Sequence, residues 1–190
     1  CFLMDTSEKD KCLEMKAYLY IIILVLAVAC TPHNNPNRPA AQQVDSVYTT
    51  ADFRAYEDFY NSGHQVYAID LLSDGLEYDS AWHISGTGCN LYLSDVFVAK
   101  DSTERLPAGR YEMDSVAQEM TFLRGMSFEG NVTGTYVLVI TEDQIQRILL
   151  MTGGNMTIAY EADDVVLDFN LYDEDSTHYH ATYTGPAIYR

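Results

Sequence analysis

Two histidines near the end of the chain have the spacing of metal ligands. In the stretch HYHATYT, His178 and His180 stand two residues apart, so on a β-strand they share one face. The preceding stretch, DVVLDFNLY, carries Asp168. Imidazole nitrogens and carboxylates are ligands that divalent transition metals accept. One hypothesis is therefore a metal-dependent enzyme built on His178, His180 and Asp168. The alternative is that they form the solvent-facing side of an ordinary hairpin.

A second candidate chemistry is the stacking of aromatic rings on sugars. The single tryptophan, Trp82, lies in EYDSAWHISG, and the chain has 15 tyrosines. Flat rings can pack on a sugar while acidic and amide side chains bond to its hydroxyl groups. The alternative is that Trp82 and most tyrosines fill the core, because aromatic side chains contribute much of the buried area of β proteins. Trp82 is the residue that we expect to contact a ligand.

Other chemical signatures are missing from the sequence. Cys89, in SGTGCNL, has neither the nucleophile elbow nor the papain-like setting of a catalytic residue, and we expect a buried small hydrophobe. The same stretch lacks the Lys-Ser/Thr of a phosphate-binding loop. The formal net charge of −17 repels phosphate backbones and disfavours nucleic acid as a partner. We predict a domain without catalytic residues or cofactors.

The elements that must position these residues are predicted to be strands. β-Branched and aromatic residues alternate with polar ones, and Gly, Asn and Asp punctuate the chain at short intervals. The candidate strands are QVYAIDLL, CNLYLSDVFVA, GRYEM, MTFLRGMSF, GTYVLVI, RILLM, NMTIAY, DVVLDFNLY and HYHATYT. A turn is expected at TGGN, residues 152–155, and strand is favoured for TADFRAYEDFY and TEDQIQRILLM. The pattern predicts an all-β fold, an antiparallel β-sandwich or alternatively a closed β-barrel.

The last two candidate strands predict a hairpin of defined register. Residues that face each other in an antiparallel pair lie on the same side of the sheet, so apolar positions must meet apolar positions. The resulting register pairs Leu171 with Tyr179, Phe169 with Ala181, Asn170 with His180 and Tyr172 with His178. This requires a loop with an odd number of residues, three or five.

The stretch MKAYLYIIILVLAVAC, residues 15–30, resembles an export signal. Lys16 precedes an apolar run that is shorter than the about 20 residues of a membrane-spanning helix. Ala27-Val28-Ala29 ends the run with the small residues of a cleavage site. We therefore expect a signal peptide at 15–29, and residues 1–14 are expected to come from translation upstream of the true start.

The end of this signal is similar to the lipobox of bacterial lipoproteins, with Cys30 at the lipidated position. Leu26 stands one position earlier than that motif requires. The resemblance implies a lipid anchor on Cys30, or signal cleavage alone at the same bond. TPHNNPNRPAAQQ then predicts a flexible tether at 30–43, followed by one all-β domain at 44–190.

The stretch LPAGRYEMD and the closing YTGPAIY are similar to those of Bacteroides-type lipoproteins of unknown function. Such proteins carry acidic residues after the lipidated Cys when they reach the cell surface, and TPHNNPN has none. The resemblance implies a periplasm-facing protein of the outer membrane, with surface exposure as the alternative. We expect an envelope-tethered, non-catalytic β domain that binds a glycan or peptide; the alternative is a structural envelope or pilus-type subunit.

Overall fold

The structure, a computed structural model, describes residues 43–102 and 105–190. These residues form strands, turns and loops, and none of them belongs to a helix that could cross a membrane. The expected segments at 1–14 and 15–29, Cys30 and nearly all of the tether lie outside the described residues, so those expectations stay predictions. The first strand begins at Gln43.

Fourteen strands follow one another along the described residues. They are β1 (Gln43–Ala55), β2 (His64–Ser73), β3 (Leu76–Tyr78), β4 (Ile84–Gly86), β5 (Gly88–Ala99), β6 (Gly109–Asp114), β7 (Thr121–Leu123), β8 (Met126–Phe128), β9 (Asn131–Thr133), β10 (Thr135–Thr141), β11 (Gln144–Glu161), β12 (Asp164–Asp173), β13 (His178–Pro186) and β14 (Ile188–Tyr189).

The long strands form a ring of hydrogen-bonded neighbours. In order around the ring, β1, β2, β5, β10, β11, β12 and β13 pair with one another, and β13 returns to β1. All of these pairings are antiparallel except that of β1 with β13, which is parallel. An odd number of strands in a closed ring cannot alternate in direction all the way around, so at least one neighbouring pair has to be parallel.

Two short strands complete the ring at one end. There β5 pairs with β7 and β11 pairs with β6, while β6 and β7 run parallel to each other. Each ring strand consequently has hydrogen-bonded partners on both sides over at least part of its length. The all-β prediction is confirmed and a sandwich-like arrangement fits, but the sheet is mixed where the prediction was antiparallel.

The core fills the inside of the ring. Its side chains alternate with outward-facing ones along each strand, as the pleat of a β-strand requires. The inward-facing residues without exposed surface include Phe53, Ile69, Leu93, Phe122, Met156, Leu167 and Phe169. A smaller apolar cluster lies on the outer side of the sheet, where the hairpin β3–β4 brings Leu76 against Leu72 and Ile140.

The predicted C-terminal hairpin is confirmed in every pair. Leu171 faces Tyr179 and Phe169 faces Ala181. Residues 174–177, together with Asp173 at the end of β12, connect the two strands. The apolar residues of this hairpin enter the core, which is why the burial pattern alone specified its register.

One predicted turn is wrong, and one break between strands was not predicted. TGGN at 152–155 is not a turn, because β11 continues through it with a register shift between Met151 and Gly153 opposite β12. Conversely, MTFLRGMSF is not one strand but β7 and β8, which are separated at Arg124 and Gly125. A Cβ atom on Gly125 would lie 2.2 Å from the Thr135 carbonyl oxygen, so this close crossing of chains needs glycine.

Candidate functional site

The structure brings together two of the three proposed metal ligands. His180 Nε2 lies 3.3 Å from Asp168 Oδ2, and Asn170 Nδ2 donates a hydrogen bond of 2.8 Å to Asp168 Oδ1. His178 faces Tyr172 instead, one pair further along the hairpin. Within residues 43–102 and 105–190 no group of three His, Cys, Asp or Glu side chains has the arrangement of a metal site. The hairpin of β12 and β13 therefore offers a contact between one histidine and one carboxylate rather than a set of metal ligands.

Trp82 lies at the tip of the hairpin β3–β4, outside the core. Its side chain is 54% exposed, and its backbone has a left-handed φ of 65°. Asp79 builds this turn, because its Oδ1 accepts hydrogen bonds from the backbone N–H groups of Ala81 and His83 at 2.7 and 2.9 Å. The turn thus presents the indole to solvent rather than to the core.

The indole of Trp82 is fixed by two neighbours. The guanidinium carbon of Arg190 lies 3.3 Å from the ring centroid, and the ring of Tyr78 lies 5.4 Å away at an angle of 51°. A cation over an indole face is attracted by the ring's electron density. Because Arg190 covers one face, the remaining exposed surface of Trp82 is a rigid patch rather than a freely rotating side chain.

Arg190 connects Trp82 to a buried ionic network, here called the polar cluster: Asp52, Arg54, Asp70, Asn90 and Arg190. Asp52 has no exposed surface, and its two oxygens lie 3.0 Å from Arg190 Nε and 2.7 Å from Arg54 Nε. Arg54 also reaches Asp70, at 3.2 Å, and Asn90 donates a hydrogen bond to the same carboxylate. Burial raises the pKa of Asp70, although the Tyr78 hydroxyl, Asn90 and Arg54 act in the opposite direction.

The polar cluster continues into a row of tyrosines across the sheet. Asp52, Asp70, Tyr92 and Tyr136 are successive partners on β1, β2, β5 and β10. The rings of Tyr92 and Tyr136 lie 5.3 Å apart. Burial raises the pKa of Tyr92 to about 12, so its hydroxyl is neutral at physiological pH. We call Tyr78, Trp82, Tyr92 and Tyr136 the aromatic face.

A shallow pocket of about 170 Å³ adjoins the tyrosine row. Tyr56, Phe59 and Tyr92 line it together with Asp95. Asp95 accepts a hydrogen bond of 2.5 Å from the Tyr60 hydroxyl, which anchors the loop 56–63 beside the pocket. Aromatic surface interrupted by fixed carboxylate, guanidinium and hydroxyl groups is the composition of many small-molecule sites.

Cys89 lies on the opposite side of the sheet from the aromatic face. It is partly buried, forms no disulfide within the described residues, and burial raises the pKa of its thiol. The thiol is consequently neutral and poorly nucleophilic at neutral pH.

Searches with this chain against protein-family models, curated proteins and solved structures found no match.

The polar cluster and the tyrosine row were not anticipated from the sequence. A signal was nevertheless present: Asp70 is a single carboxylate within the otherwise apolar run of QVYAIDLL, and Asp52 and Arg54 flank the core residue Phe53. Charged residues at such positions must find partners when both sides of a strand are covered.

Proposed function

We propose that this chain is a lipid-tethered envelope protein whose non-catalytic β domain binds a glycan on the aromatic face. The observation that carries the proposal is Trp82, a half-exposed indole clamped by Arg190 and Tyr78 at the border of a buried ionic network. An exposed tryptophan normally keeps rotational freedom, and binding would remove that freedom. Because Arg190 and Tyr78 already restrict the indole, the entropic cost of association is lower.

The chemistry of the aromatic face suits a sugar. The C–H faces of a pyranose ring pack on indole and phenol rings, and its hydroxyl groups need hydrogen-bond partners in fixed positions. Close to Tyr92, the Tyr60 hydroxyl is held in place by the buried Asp95, and the partly exposed Arg54 supplies a charged group. The acidic balance of the chain is compatible with an uncharged ligand of this kind.

The pairing of the ring strands favours a glycan over a peptide added as an extra strand. Strand addition needs a sheet edge with unpaired backbone groups. Each ring strand, and β6 and β7 with them, has partners on both sides over at least part of its length, and one-sided pairing is confined to short stretches such as 144–150 of β11 and 43–47 of β1. The same pairing disfavours a pilus-type subunit assembled by strand exchange. The tether and the periplasm-facing location rest on the sequence of residues 15–43.

The proposal is tested by electrophoresis of purified protein through gels that contain soluble plant or bacterial polysaccharides. We expect at least one polysaccharide to retard the protein. Trp82→Ala should weaken that binding about thirty-fold, since loss of an aromatic contact at the centre of a site costs about 2 kcal/mol. Phe128→Ala is the matched control, because Phe128 is 73% exposed but lies on the separate hairpin β8–β9. Equal loss in both variants would contradict the assignment.

The tether is tested separately by metabolic labelling with radioactive palmitate. We expect label on the wild-type chain and none on Cys30→Ser. An unlabelled wild-type chain would contradict the lipid anchor and would indicate a secreted domain instead.

A further inference from the structure

The inside of the ring opens into a cavity at the end opposite to β6 and β7. Its volume is about 140 Å³, close to the roughly 150 Å³ of an engineered protein cavity that binds benzene. Inward-facing side chains of β1, β5, β10, β11, β12 and β13 line it. It lies on the core side of the sheet, whereas the aromatic face lies on the outer side, so it belongs to a different site.

The cavity is apolar inside and polar at its mouth. Leu91, Val137 and Leu149 form one row of cross-strand partners in the wall. The next row, one step toward the mouth, consists of Cys89, Val139 and Arg147. A molecule with an apolar body and a polar end would therefore enter in one orientation.

Two polar groups at this cavity make no hydrogen bond or ion pair within the described residues. Tyr48 is 3% exposed and lines the cavity, and its hydroxyl makes no hydrogen bond to any described residue. Arg147 is exposed at the mouth, and none of the ion pairs in residues 43–102 and 105–190 includes it. The nearly buried Tyr48 hydroxyl is a group for which a ligand would supply the missing hydrogen bond. Arg147 faces solvent beside Tyr179, where its guanidinium is placed to exchange water for a ligand carboxylate.

We propose that this cavity binds a small organic carboxylate whose apolar part contains about six carbon atoms. The size follows from the cavity volume, and the charge follows from Arg147 in a chain that otherwise carries a large excess of acidic groups. The apolar part lies against Leu91, Val137 and Leu149. The carboxylate accepts hydrogen bonds from the Arg147 guanidinium at the mouth, and the Tyr48 hydroxyl faces the ligand from the wall.

The test titrates the full chain with heptanoate, benzoate, heptan-1-ol and acetate by calorimetry. We expect heptanoate or benzoate to bind at least ten-fold more tightly than the alcohol and acetate. Heptanoate alone would identify a straight-chain ligand and benzoate alone an aromatic one. Equal binding of acid and alcohol, or no binding of either acid, would overturn the proposal.

Variants and a chemical probe locate the binding. Arg147→Gln should weaken binding of the acid at least ten-fold without affecting the alcohol, and Arg124→Gln, another exposed arginine that does not line the cavity, should change neither. Saturating acid should slow alkylation of Cys89 at least ten-fold, as followed on its peptide by mass spectrometry. Unchanged alkylation would place the ligand elsewhere. Trp82→Ala should leave all of this intact, so the outcome is independent of glycan binding.

Discussion

Asp52 and Asp70 are two carboxylates that the fold buries side by side. They face each other on β1 and β2, and Arg54 lies between them with a side chain that is 31% exposed. Two buried carboxylates without a cation would strongly oppose folding. Arg54 contacts both carboxylates and Arg190 contacts Asp52 alone, so Arg54 contributes most to the stability of the polar cluster, and the rigidity of Trp82 depends on it through Asp52 and Arg190.

Arg54→Gln should lower the free energy of unfolding by about 3 kcal/mol, the usual result of removing one partner from a buried ion pair. Arg110→Gln is the matched control. Arg110 pairs with Glu112 at 2.6 Å, but both side chains are more than half exposed, and such pairs contribute at most about 1 kcal/mol. Urea denaturation of both variants measures the difference. Similar losses would show that the polar cluster is solvated.

The raised pKa of Asp70 predicts a dependence of stability on pH. A carboxyl group whose pKa is higher in the folded than in the unfolded state binds protons more tightly when folded. Its contribution to stability is complete below its usual pKa of 3.8 and is lost as the pH rises through the folded pKa. The free energy of unfolding of the wild type, relative to Asp70→Asn, should therefore decrease as the pH rises from 3.8. A relative increase over that range would show that Tyr78, Asn90 and Arg54 together outweigh burial.

The strands show where sequence patterns were sufficient. The hairpin of β12 and β13 was predicted pair by pair, because its alternation is regular and one side enters the core. β11 was predicted as two strands, because Gly153 and Gly154 follow a threonine and resemble a turn. The glycines instead accommodate a register shift opposite β12, a role that depends on the neighbouring strand and not on the local sequence.

Gly154→Ala tests that explanation of the glycines. Gly154 has a φ of 125°, and a Cβ atom there would lie 2.1 Å from the backbone oxygen of Asn170. We expect a loss of about 3 kcal/mol or failure to fold, since strain and overpacking combine. Gly130→Ala is the control: its φ is 81° and no atom lies within 4 Å of the added Cβ, so it should lose only about 1 kcal/mol. Thermal unfolding of both variants compares them, and equal losses would reject steric contact as the cause.

The ring as a whole could not be derived from the sequence. Its closure joins β1 to β13 and β5 to β10, and such distant pairings leave no local pattern. The functional residues depend on the same closure. Trp82 contacts Arg190 because the hairpin β3–β4 folds over the outer side of the sheet. Arg147 and Cys89 lie in one row only because β10 pairs with both of their strands. The sequence marks Trp82 as the single tryptophan, but its contacts with Arg190 and Tyr78 follow only from the closed ring, and its role in binding stays a prediction.

The whole molecule carries a net charge of −17, which predicts a response to salt. Like charges on a folded surface repel one another, and salt shortens the range of that repulsion from about 10 Å at 0.1 M to about 3 Å at 1 M. The exposed ion pairs weaken at the same time, but each contributes at most about 1 kcal/mol. We therefore expect the thermal midpoint to rise between 10 mM and 1 M sodium chloride.

The triple variant Glu161→Gln, Asp163→Asn, Glu174→Gln removes three exposed charges, so its midpoint should be higher at low salt and less sensitive to salt. A midpoint that falls with salt in the wild type would mean that the ion pairs, and not the net charge, dominate the surface electrostatics.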